Sequence, residues 1–121
     1  MDRHALQAWI ELYERAWRSP GTALVADLFA PEATYRMAPF QEPHHGLDAI
    51  ERLWKAERAG PDETFRLETE IVAVEGDTGV VRAEVWYEQP AQHFRDLWIV
   101  RFDDDGRCLA FEEWPFSPPK R

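Results

Sequence analysis

The stretch from His93 to Phe116, HFRDLWIVRFDDDGRCLAFEEWPF, limits the fold more than any other part of the chain. Two long runs rich in aromatic and β-branched residues flank Asp103-Asp104-Asp105-Gly106. Three short polar residues followed by a glycine that accepts positive φ are the signal of a hairpin. Side chains alternate along a strand, so Phe94, Asp96, Trp98, Val100 and Phe102 share one face, and Arg95, Leu97, Ile99, Arg101 and Asp103 share the other. The first face is apolar except for the carboxylate of Asp96. On the returning strand Leu109, Phe111 and Glu113 alternate with Cys108, Ala110, Glu112 and Trp114. Glu112 and Glu113 are adjacent, so one points inward and the other outward, and the apolar pattern turns Glu113 in. A four-residue turn over 103–106 pairs positions whose numbers sum to about 209, which sets Asp96 opposite Glu113 with Cβ atoms roughly 5 Å apart.

Helices precede these strands. Leu6, Trp9, Ile10, Tyr13, Ala16 and Trp17 recur at helical spacing, with Glu11, Glu14, Arg15 and Arg18 on the wet side. Ser19-Pro20-Gly21 ends that helix. Thr22 caps a second, short one running through Leu28 and Phe29 and stopping before Pro31. Ala33 to Met37 reads as a short strand, and Pro39 to Gly46, with His44 and His45, as loop. Leu47, Ile50, Leu53 and Trp54 mark a third helix that ends at Gly60-Pro61. The period then changes from 3.6 to 2. Thr64 to Val74 and Val80 to Glu88 are strands joined by a turn at Glu75-Gly76-Asp77 with Gly79, and Val81, Ala83, Val85 and Tyr87 share a face. Helices followed by a meander of long strands predict an α+β domain, with the helices on one face of an antiparallel sheet.

The chain of 121 residues is long enough for one domain with a core of its own. A net charge of −9 argues against nucleic acid or an anionic membrane as partner. One cysteine precludes an internal disulfide, and no Cys/His spacing resembles a zinc site. The N-terminus has no apolar run that would serve as a signal peptide or membrane helix, so a cytoplasmic protein is expected. Six tryptophans and seven phenylalanines are many for this length, which suits either a heavy core or an apolar pocket.

Three stretches, LVADLFAPEATYRM, PHHGLDAIERLW and VRFDDDGRCLAFEEW, resemble the second helix and first strand, the start of the third helix, and the closing hairpin of the NTF2-like superfamily. Within it they are most similar to the SnoaL-like and ketosteroid-isomerase-like cone folds. The resemblance spans nearly the whole chain. It implies a single domain over residues 1–121, with three N-terminal helices packed on the concave face of a curved, mixed but mostly antiparallel sheet. It implies less about chemistry, because such folds carry isomerases, cyclases, dehydratases, epoxide hydrolases and non-enzymes. The isomerase's base falls at Met37, which has no proton to exchange, and its two oxyanion donors fall at Trp9 and Trp98. The Arg and Asp of the epoxide hydrolases fall at Val85 and Tyr87, and their last-strand Asp at Glu113. Scytalone-dehydratase-like catalysis needs two pocket histidines, whereas His44, His45 and His93 read as loop residues.

The same resemblance places Trp9, Tyr13, Phe29, Tyr35, Met37, Trp54, Val85, Tyr87, Phe94, Trp98 and Phe111 in the cone as candidate substrate-binding residues, with Asp96 and Glu113 as the acidic, candidate catalytic pair. The aromatic stripe Trp9, Tyr13 and Trp17 is either a ligand wall or plain core, and many large side chains would equally plug the cone. A carboxylate between Phe94 and Trp98 is costly to ionise without a partner, unless it sits hydrated at the mouth. The favoured expectation is a small enzyme, without cofactor or metal, that uses acid/base groups on an apolar small molecule for isomerisation, cyclisation or dehydration. The alternative is a non-catalytic domain that binds an apolar ligand or acts as an accessory module. Leu97, Ile99, Trp86, Val80 and Trp114 on the outer sheet face predict a homodimer.

Overall fold

In the computed structural model, which describes residues 1–57, 64–88 and 90–119, the chain opens with helix α1 (Arg3–Arg18). Asp2 caps it, its carboxylate accepting the Ala5 N–H at 2.8 Å and so satisfying a donor that a helix start leaves unpaired. Leu6, Trp9, Ile10, Tyr13 and Ala16 form its buried stripe. Helix α2 (Val25–Leu28) is a single turn. The predicted extension through Phe29 does not occur, because Phe29 already belongs to strand β1 (Phe29–Arg36), which starts well before the expected Ala33. Pairing and burial account for this: β1 runs parallel to β6 (Cys108–Phe116), Phe29 lies beside Cys108, and Phe29, Ala30 and Ala33 are fully buried. Pro31, lacking an N–H, falls in the irregularity between Phe29 and Thr34.

His44 and His45 are not loop residues. They form a two-residue strand β2 that pairs with Thr34 and Tyr35 at the sheet edge. Helix α3 (Gly46–Glu57) follows and buries Ile50 and Trp54. Its predicted end at Gly60-Pro61 lies outside the described residues. Strands β3 (Phe65–Glu75), β4 (Thr78–Glu88) and β5 (Ala91–Phe102) then build an antiparallel meander that β6 completes. The six-stranded sheet has the order β2-β1-β6-β5-β4-β3, parallel between β1 and β6 and antiparallel elsewhere. This is the expected α+β arrangement, with two long helices and one short turn against the sheet instead of three full helices.

The β5–β6 register differs from the predicted one. Asp103 Oδ1 accepts from the N–H groups of Asp105 and Arg107, and Gly106 takes φ 82. This makes a three-residue loop closed by a left-handed glycine, with Phe102 opposite Cys108. A bulge at Leu109 adds one more residue, since Arg101 faces Ala110. Glu113 therefore stands opposite Trp98, and Asp96 stands opposite Pro115. Cys108, expected on the outer face, is fully buried, and Leu109 is only partly so. His93, also expected in a loop, is a β5 residue on the outer face, stacked on Trp86 at 5.3 Å and paired with Glu84.

Between helices and sheet lies an aromatic core. Trp9 meets Phe29, Phe102 and Phe111 with ring centroids 6.0, 5.7 and 5.6 Å apart, tilted as ring quadrupoles prefer. Helix α1 approaches β4 so closely that a Cβ on Gly79 would lie 2.6 Å from Leu6 Cδ2.

Candidate active site

A cleft of about 100 Å³ opens between the C-terminal halves of α1 and α3 and the inner sheet face. Its lining consists of Tyr13, Trp17, Tyr35, Met37, Leu53, Trp54, Glu57, Tyr87 and Glu113. The parallel pairing of β1 with β6 sets Tyr35 beside Phe111 and turns both Tyr35 and Glu113 to the inner face. Helix α1 brings Tyr13 down from above.

Three oxygens converge there. The Tyr35 hydroxyl donates to Glu113 Oε2 at 2.8 Å, the Tyr13 hydroxyl donates to the same oxygen at 3.1 Å, and the two hydroxyls lie 3.2 Å apart. Two phenolic protons serve three close oxygen pairs. With Glu113 ionised both protons point at its carboxylate, and the tyrosine–tyrosine edge carries none. With Glu113 protonated, a third proton fills the ring. The cluster can thus gain or lose one proton without moving its heavy atoms, which is what an acid/base group requires.

Burial raises the pKa of Glu113 and the negative charge of Glu57 adds to the rise, while the two tyrosyl hydrogen bonds hold it down. Burial, and then the charge of Glu113, lift Tyr13 and Tyr35 well above the usual phenol value, so both remain donors. Asp96 is 8% exposed and its Oδ1 has no hydrogen-bond partner among the described residues. Burial first, and the charge of Glu113 second, push it up to about 7. The indole of Trp98 offsets part of this, although its buried Nε1 does not reach Asp96 with hydrogen-bond geometry. Asp96 and Glu113 are diagonal neighbours on one sheet face, roughly 7–8 Å apart at Cα instead of directly opposite.

Of the residues singled out in the sequence, Tyr13, Trp17, Tyr35, Met37, Trp54, Tyr87 and Glu113 meet at the cleft. Trp9, Phe29, Val85, Trp98 and Phe111 are buried in the core, and Asp96 is buried without lining the cleft. Trp9 spends its indole N–H on Leu28 O at 3.0 Å, so it cannot serve as an oxyanion donor. Phe94 stands beyond Tyr87, with ring centroids 6.0 Å apart, toward a separate surface groove. Leu53 and Glu57 were not singled out as site residues. Their spacing of four on α3, flanking Trp54, is the signal that would have found them. His44, His45 and His93 do not line the cleft.

The SnoaL-like domain family matches residues 9–111. No curated protein matches the chain. Among solved structures, a candidate polyketide cyclase from Sinorhizobium meliloti superposes with a TM-score of 0.69 at 26% identity, over 90% of this chain and 97% of that one. An NTF-2 like protein of unknown function from Burkholderia xenovorans gives 0.74 at 14% identity, over 98% and 88%. A candidate ketosteroid isomerase from Parabacteroides distasonis gives 0.64 at 14%, over 90% and 86%. The last two similarities speak to the fold alone.

Proposed function

The chain belongs to the SnoaL-like domain family of the NTF2-like superfamily, and on that footing we propose that it is a cofactor-independent acid/base enzyme acting on a small, largely apolar carbonyl compound. The observation that carries this reading is the convergence of the Tyr13 and Tyr35 hydroxyls on Glu113 Oε2 at the cleft. Glu113 takes a proton from a carbon beside the carbonyl, so that a C–H bond breaks, an O–H bond forms on the carboxyl and the charge moves to the carbonyl oxygen. The proton that Glu113 gains can be donated to one tyrosyl oxygen, which leaves that tyrosine's own proton free to turn from the ring to the developing enolate oxygen. Returning the proton to another carbon gives isomerisation; passing it to a departing β-hydroxyl releases water and gives dehydration; attack of the enolate carbon on a second carbonyl, whose oxygen takes the proton, gives cyclisation. Asp96 stands at one remove: it does not line the cleft, and the charge of Glu113 helps, after burial, to lift its pKa.

The size of the cleft favours a second reading. Ligand pockets commonly measure about 300–1,000 Å³, and this one offers about 100 Å³. Either the substrate has about the bulk of one ring, or only the reactive end of a larger molecule enters. If neither occurs, the domain is a non-catalytic accessory module. Deuterium exchange of the α-protons of cyclohexanone in D₂O, followed by NMR, tests the choice. Wild type should accelerate exchange, and Glu113→Gln should remove about 10²-fold or more of that acceleration. Equal exchange by the two proteins would refute Glu113 as the base. Binding without exchange would favour the accessory module.

A further inference from the structure

Strand β3 stands at one end of the sheet, so one of its long sides has no neighbouring strand. The register shows which backbone groups lie there. Thr64 O accepts the Glu88 N–H at 3.2 Å, which marks Thr64 and Glu88 as a hydrogen-bonded pair. By the alternation of an antiparallel ladder, Arg66, Glu68 and Glu70 then turn their backbone groups toward β4, and Phe65, Leu67, Thr69 and Ile71 turn theirs away. The regular run ends at Ile71, where the pairing shifts. A long regular edge of this kind adds a further strand unless something blocks it.

Helix α1 supplies the block. Arg3 Nη1 donates to Ile71 O at 3.2 Å, and Arg18 Nη1 donates to Phe65 O at 3.2 Å, so the outward carbonyls at both ends of the run are taken. The Arg18 guanidinium also lies 4.0 Å over the Phe65 ring, and its Nε donates to Glu14 Oε2 at 2.9 Å, which fixes its direction. The spans agree: from Arg3 to Arg18 the helix rises about 22 Å, and from Phe65 to Ile71 the strand covers about 20 Å. We propose that α1 is a splint on this edge, Arg3 and Arg18 holding the carbonyls through which β3 would otherwise add the same strand of a second copy. Antiparallel pairing about a two-fold axis at Glu68 sets Leu67 opposite the partner's Thr69 and Phe65 opposite the partner's Ile71. The outer pairs of that ladder need the carbonyls that the arginines occupy. The same register sets Arg66 opposite the partner's Glu70 twice over, and these two pairs of opposite charge outweigh the meeting of the two Glu68 side chains on the axis.

Light scattering on Arg3→Ala/Arg18→Ala tests the inference, with circular dichroism and the melting temperature showing that the variant is folded. Its mass should rise to about twice that of wild type or more as concentration increases. Arg15→Ala/Arg52→Ala loses the same charge from exposed positions and should keep the wild-type mass. Losing positive charge from a chain of net charge −9 opposes association by itself, so the predicted rise runs against the charge effect. Adding Thr69→Pro should restore the wild-type mass, because the Thr69 N–H points away from β4 and proline there removes no bond of the existing ladder. A folded Arg3→Ala/Arg18→Ala variant at the wild-type mass overturns the splint. A rise that Thr69→Pro leaves unchanged also overturns it, by placing the association elsewhere. If the double variant does not fold, Arg3→Ala, which frees only Ile71 O, is read against Arg15→Ala by the same two outcomes.

Discussion

Glu112 and Glu113 are neighbours in the chain, yet only Glu113 points at two tyrosyl hydroxyls. Strand alternation made that difference legible from the sequence, because Phe111 is inward and Glu113 must share its face. The hydrogen bonds were not legible. They depend on the parallel pairing of β1 with β6, a contact between distant segments that no local pattern encodes. Nor did the sequence reveal that Trp9, Phe29 and Phe111 fill the cone instead of lining a cavity, since that is a matter of summed volumes and not of period. Tyr35→Phe tests the oxygen cluster. Its hydroxyl supplies one of the two bonds that hold the Glu113 pKa down, so removing it should raise that pKa further. The acid limb of the exchange rate should move to higher pH, and urea unfolding should show a loss of about 1 kcal/mol. An unmoved limb would mean that Tyr35 does not touch the titrating group.

At the scale of elements, the change of period from 3.6 to 2 located the strands to within a few residues, and the β5–β6 hairpin was visible as two runs around an acidic turn. Its register was not. Capping by Asp103 shortens the loop and Leu109 bulges out, because Cys108 and Phe111 both go inward and an even alternation cannot bury both. The hairpin nonetheless carries Asp96 on the inner face, and this has a thermodynamic consequence. An unfolded Asp titrates near 4, whereas burial and the charge of Glu113 lift folded Asp96 to about 7. The folded state therefore binds more protons between those values. The contribution of Asp96 to stability should be fully present below pH 4, be lost as the pH rises toward 7, and level off above it. Moving one carboxyl this far corresponds to about 4 kcal/mol, and the raised Glu113 pKa acts in the same direction. Asp96→Asn keeps the shape and removes the charge, so at pH 8 it should be more stable than wild type by on the order of 2–4 kcal/mol. Chemical denaturation at pH 5 and pH 8 decides this. An Asn variant whose stability still falls as steeply as wild type would show that Asp96 is not the group responsible.

On the scale of the whole molecule, one sheet face is covered by helices and the other is not. The uncovered face carries Val80, Trp86, Leu97, Ile99 and Trp114, all partly exposed. The chain shields part of it with its own charged arms. The Arg66 guanidinium lies 4.0 Å over the Trp86 ring, His93 stacks with the same ring at 5.3 Å, and Arg82–Glu70 and Arg95–Glu84 pairs span adjacent strands at 2.9 and 3.1 Å. Such exposed pairs add little stability within one chain, but a face bearing both signs beside apolar residues can complement itself about a two-fold axis. Leu97 lies between Arg82 and Trp114, and Ile99 between Val80 and Glu112, so β5 runs through the middle of the face. The buried Nε1 of Trp114 also has no hydrogen-bond partner among the described residues of one chain. We expect a homodimer through this face. Light scattering should give twice the chain mass at micromolar concentration. Leu97→Arg should yield a folded monomer with an unchanged cleft, because its side chain points away from Tyr13, Tyr35 and Glu113. A monomer mass for wild type over the whole micromolar range would remove the dimer, and a Leu97→Arg dimer would move the interface elsewhere.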